Sequence, residues 1–171
     1  MWTPYFNDDA IWKKYRDEVL SWEGTPYKHL KMVKGRGADC TMFIGAQWLY
    51  MGILKQVEYD YYPKDWYIHK PTEFVIQQLH YHWQNYSAPG FDILKIDTRY
   101  EKDFIRGDVL CFALSTTGVT NHATIWFGYF DETRQRRQMY NSINGHGVCR
   151  MTYGSFWRDK LTTIFRVMRD V

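Results

Sequence analysis

The stretch that decides the fold is DCTMFIGAQWLY, at residues 39–50. A helix built from it is apolar on nearly every side, and this pattern is typical of a helix buried at the centre of a domain. We expect the helix to begin at Asp39, to run to about Met51 and to end at Gly52, which can take the left-handed conformation of a helix C-cap. Other elements must cover such a helix, and the flanking sequence predicts them.

The sequence before this stretch predicts one more helix and then a loop. Acidic and amide side chains at residues 7–9 can cap a helix, and apolar residues follow at helical spacing up to Trp22. The helix should stop at Gly24, because Pro26 cannot continue it. Residues 28–38 contain glycine and show no periodicity, so we expect a loop there.

The sequence after this stretch changes from a helical to a β-type pattern. Residues 53–70 are loop-like and rich in tyrosine, and Pro71 fits the first position of a third helix. Short β-rich runs follow at about 92–97, 108–114, 122–129, 137–143 and 162–168, with a polar hairpin tip at 131–137. Helices first and strands afterwards predict an α+β fold, with N-terminal helices packed on a mainly antiparallel sheet of about five to six strands. The length of 171 residues fits one domain over 1–171.

The composition excludes several classes of protein. Hydrophobic residues make up 45% and charged residues 24% of the chain, which excludes a disordered or collagen-like chain. The net charge of +3 excludes a strongly electrostatic nucleic-acid binder but permits an anionic polymer as substrate. No apolar run approaches the roughly 18 residues of a membrane span. Residues 1–9 lack the pattern of a signal peptide, so we expect synthesis in the cytoplasm. The three cysteines are expected to be reduced thiols.

Cys40 is the first candidate for a chemical role. It lies in the first turn of the predicted buried helix, where unpaired N–H groups and the helix dipole favour a thiolate. The alternative is that Cys40 is a small buried hydrophobic residue, as free cysteines usually are. For Cys111 and Cys149, which lie in β-type runs, we favour that alternative.

A thiol nucleophile needs a base and a group that orients the base. His122 is the first residue of a predicted strand, from which it can project rigidly into a cleft. Asn141 lies among apolar residues of the next strand and would be satisfied by a hydrogen bond to the second ring nitrogen of His122. Alternatively, the histidine is only a hydrogen-bonded strand end and the asparagine only a cap. His80 and His82 point to different sides of a predicted helix, and no metal-binding motif occurs, so we expect no metal site.

Several short motifs follow one another in a characteristic order. GTPY at 24–27 precedes a glycine-bearing loop and the Asp39-Cys40 pair. GDVL at 107–110 is followed by NHATI at 121–125. Together these segments resemble the nucleophile and histidine motifs of the NlpC-type cysteine peptidases, which are peptidoglycan endopeptidases. The tail of the chain is similar to the subgroup encoded in phage tail modules and gene-transfer-agent clusters.

The resemblance implies a fold, a reaction and catalytic residues. The family has a papain-like α+β fold and cleaves peptide bonds in cell-wall stem peptides, commonly beside γ-D-glutamyl residues, without a metal or cofactor. It implies that Cys40 is the nucleophile, His122 the base and Asn141 the orienting residue. The Tyr27 hydroxyl and the backbone N–H of Cys40 would stabilise the oxyanion.

The resemblance also implies substrate-binding residues and identifies departures from the family. Asp39 matches the residue that engages the substrate's amine. Thr41 stands where many relatives have serine, which keeps the hydroxyl but narrows the pocket. Many relatives have histidine at the third catalytic position, so Asn141 makes this set papain-like. An insertion covers about residues 53–90. One hypothesis is that it forms a wall or a lid of the cleft; the alternative, which we favour, is extra core packing.

Three other functions stay open at this stage. The chain could be a structural component of a phage tail tip with little or no turnover, bound to phage tail proteins. It could be a papain-like amidase or acyltransferase that acts on another amide. A nucleic-acid-binding module has support only from Arg134, Arg136 and Arg137. As a peptidase, the protein would act on stem peptides as its partners, either within a virion or after release to the cell wall.

Overall fold

The computed structural model describes residues 1–97, 100–129 and 137–171. Its helices are α1 (Asp9–Ser21), α2 (Cys40–Tyr50), α3 (Trp66–His69), α4 (Phe74–Tyr86) and α5 (Ser155–Lys160). Its strands are β1 (Trp2–Pro4), β2 (Met32–Val33), β3 (Gly37–Ala38), β4 (Phe91–Ile96), β5 (Val109–Phe112), β6 (His122–Tyr129), β7 (Arg137–Ile143), β8 (Gly147–Thr152) and β9 (Leu161–Asp170). Within these ranges no helix is both long and apolar enough to cross a membrane.

The main sheet has seven strands, with β1, β9, β5, β6, β7 and β8 in that order and β4 paired to β9. All its pairings in the described ranges are antiparallel. The predicted α+β class with a mainly antiparallel sheet is therefore confirmed. The sheet contains two strands outside the five predicted β-rich runs. One is β8, which pairs with β7, and the other is the short β1, which pairs with the end of β9.

Helix α2 lies against one face of the sheet, as its apolar sequence predicts. Phe43, Ile44 and Trp48 on this helix are fully buried. They share a cluster with Ala123 and Ile125 of β6. The opposite face of the sheet carries a second aromatic cluster, which includes Trp126, Tyr153 and Trp157. The first residue of α2 thus lies at one end of the sheet, beside the start of β6.

Three local predictions differ from the structure. Residues 53–70, predicted as a loop, contain the short helix α3. Helix α4 begins at Phe74 and not at Pro71, and the backbone of Glu73, its N-cap, is not helical (ψ 58°). The Glu73 carboxylate accepts a hydrogen bond from the backbone N–H of Thr120 (3.0 Å), which holds this turn against the sheet. Residues 28–38 contain the short β2–β3 hairpin in addition to loop. The predicted hairpin tip lies, apart from Arg137, outside the described residues.

The insertion at 53–90 contributes to the core. The rings of Tyr62 and Phe74 stack with centroids 5.5 Å apart, and Trp66 packs edge-on against Phe74. Val57 approaches α2 so closely that a Cβ added to Gly45 would lie 3.2 Å from its side chain. One side of the insertion therefore packs in the core, as the alternative to a wall or a lid predicted.

Candidate active site

The N-terminus of α2 presents Cys40 at the edge of a cavity. Asp39 is the N-cap of the helix, and its Oδ1 accepts hydrogen bonds from the N–H of Met42 (2.9 Å) and the hydroxyl of Thr41 (3.1 Å). Its Oδ2 accepts a third from the N–H of Leu30 (2.7 Å). The cap therefore fixes the first turn of the helix, and with it the position of the Cys40 thiol, which forms no disulfide.

His122 and Asn141 meet on one face of the sheet. Ile125 of β6 pairs with Tyr140 of β7, so their side chains lie on the same face of the sheet. Side chains alternate between the two faces along a strand. His122, three residues before Ile125, and Asn141, one residue after Tyr140, therefore both project to the opposite face. His122 Nε2 lies 2.7 Å from Asn141 Oδ1, and both side chains are buried. The ring of Trp157 lies over His122, with centroids 5.9 Å apart, and helps to keep water from this hydrogen bond.

The hydrogen bonds of Asn141 determine which nitrogen of His122 carries the proton. Asn141 Nδ2 donates to the backbone carbonyl of Cys149 (3.2 Å), so its Oδ1 faces the histidine. Because an amide oxygen only accepts hydrogen bonds, Nε2 of His122 must be the donor. In the neutral ring, Nδ1 then carries the lone pair and can accept a proton.

A cavity of about 260 Å³ brings the candidate residues together. Tyr27, Asp39, Cys40 and His122 all line it. The backbone N–H of Ala123, next to the histidine, is close enough to the Cys40 thiol to lower its pKa. Cys40, His122 and Tyr27, the predicted nucleophile, base and oxyanion donor, therefore lie around one space.

Burial controls the protonation of this site. It raises the pKa of the Cys40 thiol to about 12, and the Asp39 carboxylate acts in the same direction. It lowers the pKa of His122 to about 4, although the hydrogen bond that the imidazole donates to Asn141 acts against this. Near neutral pH the resting pair is consequently a neutral thiol and a neutral imidazole. The N–H groups of the helix end do lower the pKa of the thiol, as expected, but burial raises it by more.

Tyr27 reaches the cavity from a segment that two strands hold in place. The N–H of Ala38 in β3 donates to the carbonyl of Pro26 (3.0 Å), and the N–H of Val148 in β8 donates to the carbonyl of Thr25 (2.8 Å). Burial raises the pKa of Tyr27, with smaller contributions from the neighbouring thiol and carboxylate, so its hydroxyl stays a neutral donor. The position of this hydroxyl depends on the contact between its segment and β8.

Alanine substitutions at two nearby glycines test the contact between the Tyr27 segment and β8. Gly145 and Gly147 both have positive φ, at +88° and +70°. A Cβ at Gly145 meets no atom within 4 Å, whereas a Cβ at Gly147 would lie 2.3 Å from the carbonyl oxygen of Thr25. We expect Gly145→Ala to lower the free energy of unfolding by about 1 kcal/mol, through backbone strain alone, and Gly147→Ala to lower it by about 3 kcal/mol. Urea denaturation measures both; equal losses would contradict the close approach.

Asp39 and Thr41, the predicted substrate-binding residues, are only 2% and 1% exposed. Their side chains bond to each other and to the helix end, and Asp39 Oδ2 also lies 3.6 Å from Nδ1 of His29. In this structure both therefore act as the cap of α2. Binding of a substrate amine by Asp39 stays a prediction, and it would require the carboxylate to share its oxygens with the substrate.

The structure adds residues to the site that sequence reasoning missed. The insertion supplies Tyr62, Lys64, Trp66 and Tyr67 to the cavity. The insertion thus forms a wall of the cavity in addition to packing in the core. The density of tyrosine and tryptophan in residues 59–67 was the available signal, but which rings face the core and which face the cavity depends on tertiary contacts.

No group of three or more acidic, histidine or cysteine side chains in the described ranges is arranged to hold a metal ion. Because the Cys40 thiol and the His122 imidazole line the same cavity, the arrangement can support transfer of a proton between them, with attack of sulfur on a bound carbonyl.

The chain is similar in fold to a known family of structures. No protein-family model and no curated protein matches the sequence. Among solved structures, the chain resembles a protein from Staphylococcus aureus described as similar to a lipoprotein of the NLP/P60 family, with a TM-score of 0.61 and 18% identity over 98% of this chain. The match covers 45% of that protein's length. The likeness establishes the fold, which is the NlpC-type α+β fold that the sequence motifs implied.

Proposed function

We propose that the chain is a cysteine endopeptidase that hydrolyses peptide bonds in bacterial cell-wall stem peptides, next to γ-D-glutamyl residues. One observation carries the proposal: Cys40 at a helix N-terminus and His122, which is hydrogen-bonded to the buried Asn141, line a single cavity. The fold, shared with an NLP/P60 family protein, and the sequence motifs support cell-wall peptides as the substrate class.

In the proposed reaction His122 acts as a general base. Its Nδ1 takes the thiol proton of Cys40 as the sulfur attacks the scissile carbonyl, so a C–S bond forms and the carbonyl oxygen becomes an oxyanion. The backbone N–H of Cys40 and the hydroxyl of Tyr27 would donate hydrogen bonds to this oxyanion. Asn141 keeps the ring in the tautomer that this step needs.

The tetrahedral intermediate then collapses to the acyl-enzyme, and water hydrolyses the acyl-enzyme with cleavage of the C–S bond. The oxyanion collapses, the C–N bond breaks, and the imidazolium of His122 protonates the leaving amine. Water attacks the resulting thioester, gives a proton to the imidazole and releases the new carboxylic acid, and the proton returns to the sulfur of Cys40. Every proton is thus accounted for by one histidine.

The test is mass spectrometry of defined muropeptides incubated with the protein in water enriched in ¹⁸O. We expect two fragments whose masses together equal those of substrate plus one water, with the label in the new carboxyl group. An adduct between the acyl fragment and an added amine would indicate an acyltransferase instead. If the folded protein cleaves no peptide of the panel, the proposal fails and the structural role in a phage tail becomes the better explanation.

A further inference from the structure

The insertion places a cation in the wall of the candidate active site. Lys64 lines the cavity, and among the described residues it is the only lysine or arginine that does so. Its side chain is exposed, and its Nζ lies 5.1 Å from the centroid of the Tyr27 ring. The ammonium group therefore sits over the residue whose hydroxyl is proposed to face the reacting carbonyl.

Lys64 forms no salt bridge with a carboxylate of the described part of the chain. The acidic group of the cavity, Asp39, is engaged by the helix end and by the N–H of Leu30. His29 is held by a hydrogen bond between its Nε2 and the carbonyl of Tyr62 (2.7 Å). Among the charged groups of the cavity, the ammonium of Lys64 is consequently the one that remains available to a bound anion.

We propose that Lys64 binds a free carboxylate of the substrate next to the scissile amide, an inference that rests on the proposed function. In a γ-glutamyl amide the α-carboxylate is free, and only Cα, Cβ and Cγ separate it from the scissile carbonyl. A flexible, strongly hydrated ammonium over Tyr27 can reach a carboxylate at this distance from the carbonyl. Lys64 thereby selects γ-linked substrates whose α-carboxylate is unmodified.

The expected effect on kcat/KM depends on how exposed the ion pair between Lys64 and the substrate carboxylate is to solvent. A solvent-exposed ion pair contributes modestly and is screened by salt, whereas a pair inside a partly closed cavity contributes more. We expect the carboxylate to raise kcat/KM about five- to tenfold over the same peptide with an α-carboxamide. Raising the ionic strength should shrink this preference, because the ammonium is accessible to counterions.

The experiment compares two stem peptides that differ only at the α-carboxyl group of the γ-linked D-glutamyl residue, which is either free or amidated. Each is incubated with the wild type, with Lys64→Gln and with Lys70→Gln, a control that removes an exposed lysine of the same insertion outside the cavity. We expect the wild type and Lys70→Gln to prefer the free carboxylate. Lys64→Gln should cleave both peptides with the kcat/KM that the wild type shows for the amidated one.

The outcomes separate this proposal from the proposed function. Equal kcat/KM of the wild type for the two peptides overturns the role of Lys64 and leaves the endopeptidase intact. A Lys64→Gln variant that loses activity equally on both peptides shows that the lysine only supports Tyr27, which also overturns the proposal. If the folded wild type cleaves neither peptide, the proposed function fails, and the role of Lys64 fails with it.

Discussion

Replacing Cys40 by alanine is expected to lower kcat/KM by at least about 10⁴-fold while changing the free energy of unfolding by about 1 kcal/mol or less. The activity should fall because, in the proposed reaction, the sulfur is the atom that forms the covalent bond to the substrate. The stability changes little because the residue is the first of α2, and the hydrogen bonds of the cap come from the preceding Asp39.

The matched control is Cys111→Ala. Cys111 is fully buried in β5 and does not line the cavity. This variant should lose stability, by about 1 kcal/mol, because a buried sulfur is removed, and should keep the wild-type kcat/KM. Hydrolysis of a muropeptide followed by chromatography, together with urea denaturation, measures both quantities. Turnover by folded Cys40→Ala at more than about a hundredth of the wild-type rate would exclude this cysteine as the nucleophile.

Replacing His122 by glutamine is expected to lower kcat/KM by about 10⁴-fold, because the glutamine amide cannot accept a proton near neutral pH. Glutamine can still hydrogen-bond Asn141, so the buried amide keeps a partner. In the wild type, kcat/KM should rise as the pH passes through about 4, where His122 becomes a free base, and should then stay flat through neutral pH. A bell-shaped profile centred near neutral pH would instead indicate a thiolate–imidazolium pair.

The same histidine makes stability depend on pH in a defined direction. Its pKa falls from an ordinary value of 6.5 to about 4 on folding. Between these values the unfolded chain binds a proton that the folded chain does not, so the free energy of unfolding decreases as the pH falls from 6.5 to 4. The loss from this group is complete below the lower value and amounts to about 3 kcal/mol.

His122→Gln removes this contribution and leaves the other titrating groups in place. The difference in unfolding free energy between wild type and variant should therefore change by about 3 kcal/mol between pH 7 and pH 4, to the disadvantage of the wild type at low pH. Urea denaturation at several pH values measures this difference. A difference that is independent of pH would mean that His122 is not desolvated in the folded protein.

The sequence predicted the elements whose pattern is local. The apolar stretch after Asp39 specified a buried helix and its start, because an acidic N-cap and a helix without a polar face are both readable from neighbouring residues. The strand positions of His122 and Asn141 followed from β-type runs bounded by turn residues. The start of α4 was misplaced by a few residues, because Glu73 is held out of the helix by Thr120, a contact across the fold.

The protonation state of the site could not be predicted from the sequence. A cysteine at a helix N-terminus suggested a thiolate, since the helix dipole acts within one turn and depends only on position. Desolvation depends on how completely the insertion, β6 and α2 enclose the thiol, and only the packed structure supplies that. Burial proved to be the larger effect, and it reversed the expected protonation state of Cys40.

The sequence by itself thus determined the α+β class, the buried helix that carries Cys40 and the identity of the three candidate catalytic residues, because short-range patterns encode each of them. The tertiary structure alone decided that His122 and Asn141 share a face of the sheet, that Nδ1 is the free nitrogen and that Lys64 stands over Tyr27. Those relations join residues far apart in the chain. They depend on strand register, on the direction of hydrogen bonds and on how the insertion folds back over the cavity, none of which a local pattern contains.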